Sequence, residues 1–325
     1  MSLQDAYNRK ITYLRISVTD RCNLRCRYCV PRQALKRLPH NEILTYEEIV
    51  RLVKIAAQIG FKKIRLTGGE PLVRRNIVYL IEQINNISTI QKLCLTTNGT
   101  LLREFASDLY RAGLRHINIS LDTLSPQKYA YITGVDAFSQ TWAGIKKAIE
   151  VGFHPIKINV VLIKGFNDNE IIDLANLSFD YPLYIRFIEY MPLMSTGINF
   201  EQSFISTDEV KERLKKIGKL EKVPSSALDG PAQRYKFRGS LGEVGFISAL
   251  SHHFCPNCNR LRLTSDGQLR PCLFSDQEWD LKTPLRQGAS NTTLKAIIED
   301  AITHKPKSHG YVKFVIHRPM LKIGG

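Results

Sequence analysis

Apolar positions along the first two-thirds of the chain fall into two alternating kinds of run. Compact runs recur as Tyr13 to Val18, Lys63 to Thr67, Lys92 to Thr97, His116 to Leu121, Pro155 to Leu162 and Tyr184 to Glu189, each of a length suited to a strand. Between them apolar residues return every three or four positions, which predicts helices over Thr45 to Ile59, Arg74 to Asn85, Leu101 to Ala112, Phe138 to Val151 and Asn169 to Ser178. Thr45 and Glu48 have the spacing of a capping box at the head of the first helix. Strand and helix in alternation is the pattern of parallel βαβ units. Six strands are too few to close an eight-stranded barrel. The expected fold class is therefore α/β, an incomplete (β/α)6 TIM-type barrel over residues 1–205, with a flavodoxin-like open sheet as the alternative.

Beyond about residue 205 the pattern changes. A short helix, Thr207 to Ile217, and a Pro-, Ser- and Gly-rich stretch from Pro224 to Pro231 lead into strand-like segments Gln233 to Phe237 and Gly242 to Ile247. Residues 206–325 are expected to form a C-terminal α+β extension that covers the open side of the barrel.

With 325 residues, of which 43% are hydrophobic, the chain can bury a large core and a smaller one, which excludes disordered and fibrous classes. No apolar run approaches a membrane span and the first residues carry no secretory pattern, so a cytoplasmic protein without a membrane partner is expected. Against 30 acidic residues stand 46 Lys and Arg, a net charge of +16, which points to an anionic partner. Nucleic acid, a nucleotide and a polyphosphate would all use such a field. No run interleaves aromatic with basic residues as a stacking platform for single strands does, so nucleic acid is not expected.

The seven cysteines look like metal ligands in a reducing compartment rather than a disulfide framework. Cys94 lies mid-strand and reads as packing. Cys22, Cys26 and Cys29 form a C-x3-C-x2-C loop with no fourth cysteine nearby, and the next histidine, His40, lies across a basic, proline-bearing stretch. A closed zinc site needs four ligands, so three thiolates suggest an iron-sulfur cluster with one iron left open to a small molecule. Cys255, Cys258 and Cys272 form a second group of three, where His252 and His253 keep a Cys3His zinc site as an alternative. Two open three-cysteine centres in one chain make iron-sulfur more coherent at both.

Other unusual residues fall at the ends of predicted strands. The cysteine loop follows the first, Thr67-Gly68-Gly69-Glu70-Pro71 the second and Thr96-Thr97-Asn98-Gly99 the third, while Ser120-Leu121-Asp122 ends the fourth. Each alone is an ordinary turn or cap. Together they fall on the face where parallel barrels keep their chemistry.

The cysteine loop with Tyr28 before its last cysteine, and Gly-Gly-Glu-Pro after the next strand, resemble the radical S-adenosylmethionine superfamily. The run His252-His253-Phe254-Cys255-Pro256-Asn257-Cys258-Asn259-Arg260-Leu261-Arg262-Leu263-Thr264, then Leu269-Arg270-Pro271-Cys272-Leu273-Phe274, Arg186 to Pro192 and a Gly324-Gly325 end are similar to its GTP 3′,8-cyclase family, of molybdenum cofactor biosynthesis. The resemblance runs almost the whole length. It implies two 4Fe-4S clusters, on Cys22, Cys26 and Cys29 and on Cys255, Cys258 and Cys272, with S-adenosyl-L-methionine at the first. It further implies cofactor contacts from Tyr28, Gly69, Ser120 and Met191. GTP would meet Arg15, Arg65, Thr96, Lys157, Arg260, Leu261 and Arg262, with Lys63 and Arg186 as helpers. Arg260, Arg262, Gly324 and Gly325 would serve turnover. The implied partners are GTP, a low-potential electron donor and, downstream, cyclic pyranopterin monophosphate synthase; the oligomeric state stays open between monomer and homodimer. Two other readings compete: a two-cluster radical enzyme acting on a peptide, and a zinc-stabilised RNA-binding protein.

Overall fold

A computed structural model of the chain describes residues 3–29, 37–192, 197–226, 228–309, 318 and 320–324. Six parallel strands lie side by side in chain order: β1 (Tyr13–Ser17), β2 (Lys63–Thr67), β3 (Lys92–Thr97), β4 (His116–Ser120), β5 (Ile156–Leu162) and β6 (Leu183–Glu189). Their connections carry α1 (Tyr46–Gln58), α2 (Ile77–Asn85), α3 (Leu102–Arg111), α4 (Pro126–Thr133), α5 (Phe138–Val151) and α6 (Ile171–Asp180).

These bounds meet the sequence expectation within a residue or two, with two informative exceptions. α2 starts at Ile77 rather than Arg74, because Pro71–Val73 make a 3-10 turn and Asn76 turns left-handed at φ 57°. α4 was not expected; Ser125 caps it by accepting from the Lys128 amide at 3.3 Å, and Pro126 opens its first turn. At α1 the expected capping box is formed, with the Glu48 amide donating to Thr45 Oγ1 at 3.2 Å and the Thr45 amide to Glu48 Oε2 at 2.7 Å. Such a cap stabilises a helix by about 1 kcal/mol.

The C-terminal third supplies α7 (Phe200–Ser203), α8 (Thr207–Leu214), β7 (Leu220–Val223), β8 (Gln233–Phe237), β9 (Glu243–Ile247), β10 (Arg260–Leu263), β11 (Gln268–Arg270), β12 (Trp279–Asp280), α9 (Lys282–Arg286), α10 (Asn291–Thr303) and α11 (Met320–Ile323). β9 pairs in parallel with β6, and β10 in parallel with β1. The sheet therefore runs β12-β11-β10-β1-β2-β3-β4-β5-β6-β9-β8-β7, with eight adjacent parallel strands and an antiparallel pair at each edge.

Alternation along the strands divides the sheet into two faces. Ile64, Leu66, Leu95, Ile117, Ile119, Ile156, Ile158 and Ile185 are buried in the continuous apolar core of which the helices' apolar faces are part. The opposite set, including Lys63, Arg65, Asn118 and Arg186, is also buried, although polar. Burying polar side chains without partners is costly. Their face lines a cavity.

Candidate active site

The cavity, of about 320 Å³, draws its walls from β1 to β6, β9 and β10. All six grouped cysteines line it. Cys22, Cys26 and Cys29 follow β1, at the C-terminal ends of the parallel strands. Cys255 and Cys258 precede β10, whose first residue Arg260 is in register with Tyr13 at the start of β1, and Cys272 follows the antiparallel β11. The two cysteine groups thus stand at opposite ends of the strands, with the inner face between them.

The first group is held by its neighbours' loops. The Gly69 amide donates to Thr19 O at 2.8 Å and the Glu70 amide to Arg21 O at 2.8 Å. A Cβ on Gly69 would lie 2.2 Å from Arg21 O and 3.0 Å from Cys22 N, so glycine is needed for approach to the cysteine loop. Gly69 also lines the cavity. Glu70, the acid of the Gly-Gly-Glu-Pro run, was given no role of its own from the sequence, yet it ties three segments: its carboxylate accepts from Leu72 N at 3.0 Å, Thr97 Oγ1 at 2.7 Å and Asn98 N at 2.6 Å. Burial pushes it up to about 7 against those three donors. The Leu24 amide donates to Cys22 Sγ at 3.3 Å.

Tyr28 donates its hydroxyl to Asp122 Oδ2 at 2.6 Å, and Asp122 Oδ1 accepts from the Val161 amide at 2.8 Å. Burial raises Asp122 to about 6. Tyr28, Ser120 and Met191 all line the cavity at the first cysteine group's end.

The register sets cations in rows. Arg262, Arg15 and Arg65 are side by side on β10, β1 and β2, and Arg260, Tyr13 and Lys63 form the next row towards the strand starts. Like charges opposite one another destabilise a sheet, so these rows call for a bound anion. Arg65 Nε donates to Tyr13 Oη at 2.6 Å and its Nη1 to Thr96 Oγ1 at 3.1 Å. Lys63 Nζ donates to Leu228 O at 2.7 Å. Burial, followed by neighbouring cations, pulls Arg186 down to about 10 and Lys157 to about 7. Burial lowers Lys63 to about 8, and Tyr13 offsets part of that. Arg262 donates to the carbonyl of Gly324, which follows α11 beside β1.

Leu261 is placed apart from the other expected residues. Its side chain is fully buried in the apolar core, between Arg260 and Arg262, which line the cavity. Only its backbone is left to meet a ligand. Gly325 lies outside the described residues.

The thiols suit a metal cluster. Burial pushes Cys22 and Cys26 up, and Cys29 up to about 12, so each keeps its proton until a metal cation binds the sulfur in its place. At Cys258 burial is outweighed by Arg260 and Lys305, which pull it down to about 6. Among the described residues no three His, Cys, Asp or Glu side chains converge on a single ion. A cubane does not ask for that convergence, since each thiolate takes its own iron.

A parallel α/β sheet with a three-cysteine loop after its first strand defines the class, and the family comparisons agree. Residues 16–178 match the radical SAM superfamily and residues 183–311 the Molybdenum Cofactor Synthesis C family. The chain is 52% identical over 306 residues to a GTP 3′,8-cyclase of Desulforamulus reducens, covering 94% of each chain. It is 46% identical over 325 residues to one of Pelotomaculum thermopropionicum, covering 99% of this chain and all of that one. In fold it is similar to Streptococcus suis SuiB bound to precursor peptide SuiA, with a TM-score of 0.61 and 18% identity over 95% of this chain and 68% of that one. The chain belongs to the GTP 3′,8-cyclase family of the radical SAM superfamily.

Proposed function

We propose that the chain converts GTP to (8S)-3′,8-cyclo-7,8-dihydroguanosine 5′-triphosphate, the first step of molybdenum cofactor biosynthesis. The observation that carries this reading is the arrangement of one cavity with a three-cysteine group at each end and a cluster of buried cations between. The eight parallel strands are read as an incomplete barrel, with residues 206–325 as an extension that adds a strand to each side.

Cys22, Cys26 and Cys29 would hold one 4Fe-4S cluster, and Cys255, Cys258 and Cys272 the other. When bound, the first cluster and S-adenosyl-L-methionine supply a 5′-deoxyadenosyl radical that takes the 3′-hydrogen of the ribose. The protein's own part is placement and exclusion of water. Tyr28, Gly69, Ser120 and Met191 surround the cofactor. Arg15, Arg65, Lys157, Lys63 and Arg186 bind the triphosphate as fixed cations, and Thr96 adds a hydroxyl. Arg260 and Arg262, with the Leu261 backbone, hold the guanine against the second cluster. Gly324 and Gly325 would serve turnover at that wall; the Arg262 contact to the Gly324 carbonyl supports this reading, since residues without side chains suit a crowded site.

A low-potential electron donor and the downstream cyclic pyranopterin monophosphate synthase complete the sequence of reactions in the cytoplasm. Among the described residues no helix is long and apolar enough to cross a membrane. Anaerobic protein is expected to carry about eight irons and to form 5′-deoxyadenosine only with GTP present. Zinc in place of iron, or 5′-deoxyadenosine formed in response to a peptide and not to GTP, would refute this reading.

A further inference from the structure

Two carboxamides on the inner face have no assigned part. Asn118 on β4 and Asn159 on β5 both line the cavity, and each has a buried side-chain oxygen without a hydrogen-bond partner. Asn118 is only 4% exposed. A buried amide oxygen left unpaired is costly. Most buried polar groups are paired, so two such atoms on one wall mark a place where a ligand completes the bonding.

The register says which ligand. Asn118 lies between Thr96 on β3 and Lys157 on β5, both assigned above to the nucleotide. Asn159 lies between Ser120 on β4, assigned to the cofactor, and Arg186 on β6, assigned to the triphosphate. The pair therefore stands where the two bound molecules meet. The group of GTP that must meet the cofactor is the ribose, because it carries the 3′-hydrogen that is taken, while the triphosphate extends from it to the neighbouring cations and the guanine to the second cysteine group. A carboxamide suits a hydroxyl because it offers an acceptor oxygen and a donor NH2.

We propose that Asn118 and Asn159 bind the ribose 2′-hydroxyl of the substrate, and so hold the sugar against the cofactor and select ribonucleotide over deoxyribonucleotide. This rests on the cyclase reading above. A site built to hydrogen-bond a hydroxyl rejects the analogue that lacks it, because its polar groups are then left unpaired.

The test is anaerobic calorimetry on the two-cluster holoenzyme, with GTP, 2′-deoxyGTP and S-adenosylmethionine as ligands. The wild-type protein is expected to favour GTP over 2′-deoxyGTP by roughly tenfold. In Asn118→Ala and Asn159→Ala that preference falls towards unity, through loss of GTP affinity alone, while S-adenosylmethionine affinity is unchanged. Asn118→Leu and Asn159→Leu, which keep the side chain's shape but remove both its acceptor and its donor, replace any alanine variant that fails to assemble both clusters. An undiminished preference in the variants, a wild-type protein with no preference to lose, or a loss confined to S-adenosylmethionine would each overturn the proposal. Wild-type protein that binds no GTP would overturn the cyclase reading first, and that outcome is visible before any variant is made.

Discussion

Replacing Gly69 with alanine tests how the second loop holds the first. The added Cβ would lie 2.2 Å from Arg21 O, 2.6 Å from Arg21 C and 3.0 Å from Cys22 N, all backbone atoms. An ordinary contact requires the two loops to part by about 1 Å. The hydrogen bonds from Gly69 N to Thr19 O and Glu70 N to Arg21 O lie across that gap and would stretch with it. Overpacking of this kind costs about 1–3 kcal/mol. Displacement of a reacting group by about 1 Å costs about 100-fold in rate. The expected result is therefore lopsided: urea unfolding shifts modestly, whereas S-adenosylmethionine cleavage falls about 100-fold or the first cluster is lost. Iron content, the unfolding curve and 5′-deoxyadenosine formation measure these separately. Wild-type iron and wild-type cleavage in Gly69→Ala would refute the reasoning.

Lys157 and Lys63 sit near 7 and 8, below the ordinary lysine value of 10.5, because burial disfavours their charged forms. In the empty protein they lower stability as pH falls from 10.5 towards those values, since the unfolded chain takes up the protons first. A bound triphosphate reverses the shift, so GTP binding near pH 8 is expected to take up protons and to weaken as pH rises; calorimetry in buffers of different ionisation heat reads the uptake, and none would contradict the assigned role. Cys22→Ala is expected to keep about half the iron and lose all S-adenosylmethionine cleavage, by metal analysis and chromatography. Arg260→Ala or Arg262→Ala is expected to weaken GTP binding about tenfold or more with little effect on S-adenosylmethionine, and equal losses would make these arginines supports of the fold.

The six central strands and their helices were legible because parallel strands backed by helices leave a regular trace: β2, β3 and α5 fall on the residues expected. What the sequence hid was the long-range pairing. Arg260 to Leu263 is four residues long, too short to announce a strand, yet it pairs in parallel with β1 and puts the second cysteine group at the far end of the cavity. α4 was missed although Ser125-Pro126 offered both a cap and a helix-opening proline. The cysteines could be read directly, since their spacing is local. The cation rows could be read in part: Lys63, Arg65 and Lys157 interrupt otherwise apolar strands at every second position, which marks a polar-lined inner face. Leu261 obeys the same alternation in reverse, and period two alone would have turned its side chain into the core. Asn118 and Asn159 keep the same alternation, between Ile117 and Ile119 and two residues after Lys157, but an asparagine in a strand is unremarkable until its unpaired oxygen is seen.

The most direct test of the central claim is the fate of one hydrogen. Holoenzyme with both clusters, reduced anaerobically and given S-adenosylmethionine and GTP carrying deuterium at C3′, should yield 5′-deoxyadenosine containing one deuterium by mass spectrometry. Unlabelled 5′-deoxyadenosine formed at the same rate with or without GTP would contradict the placement of the ribose between the two cysteine groups, and with it the cyclase reading.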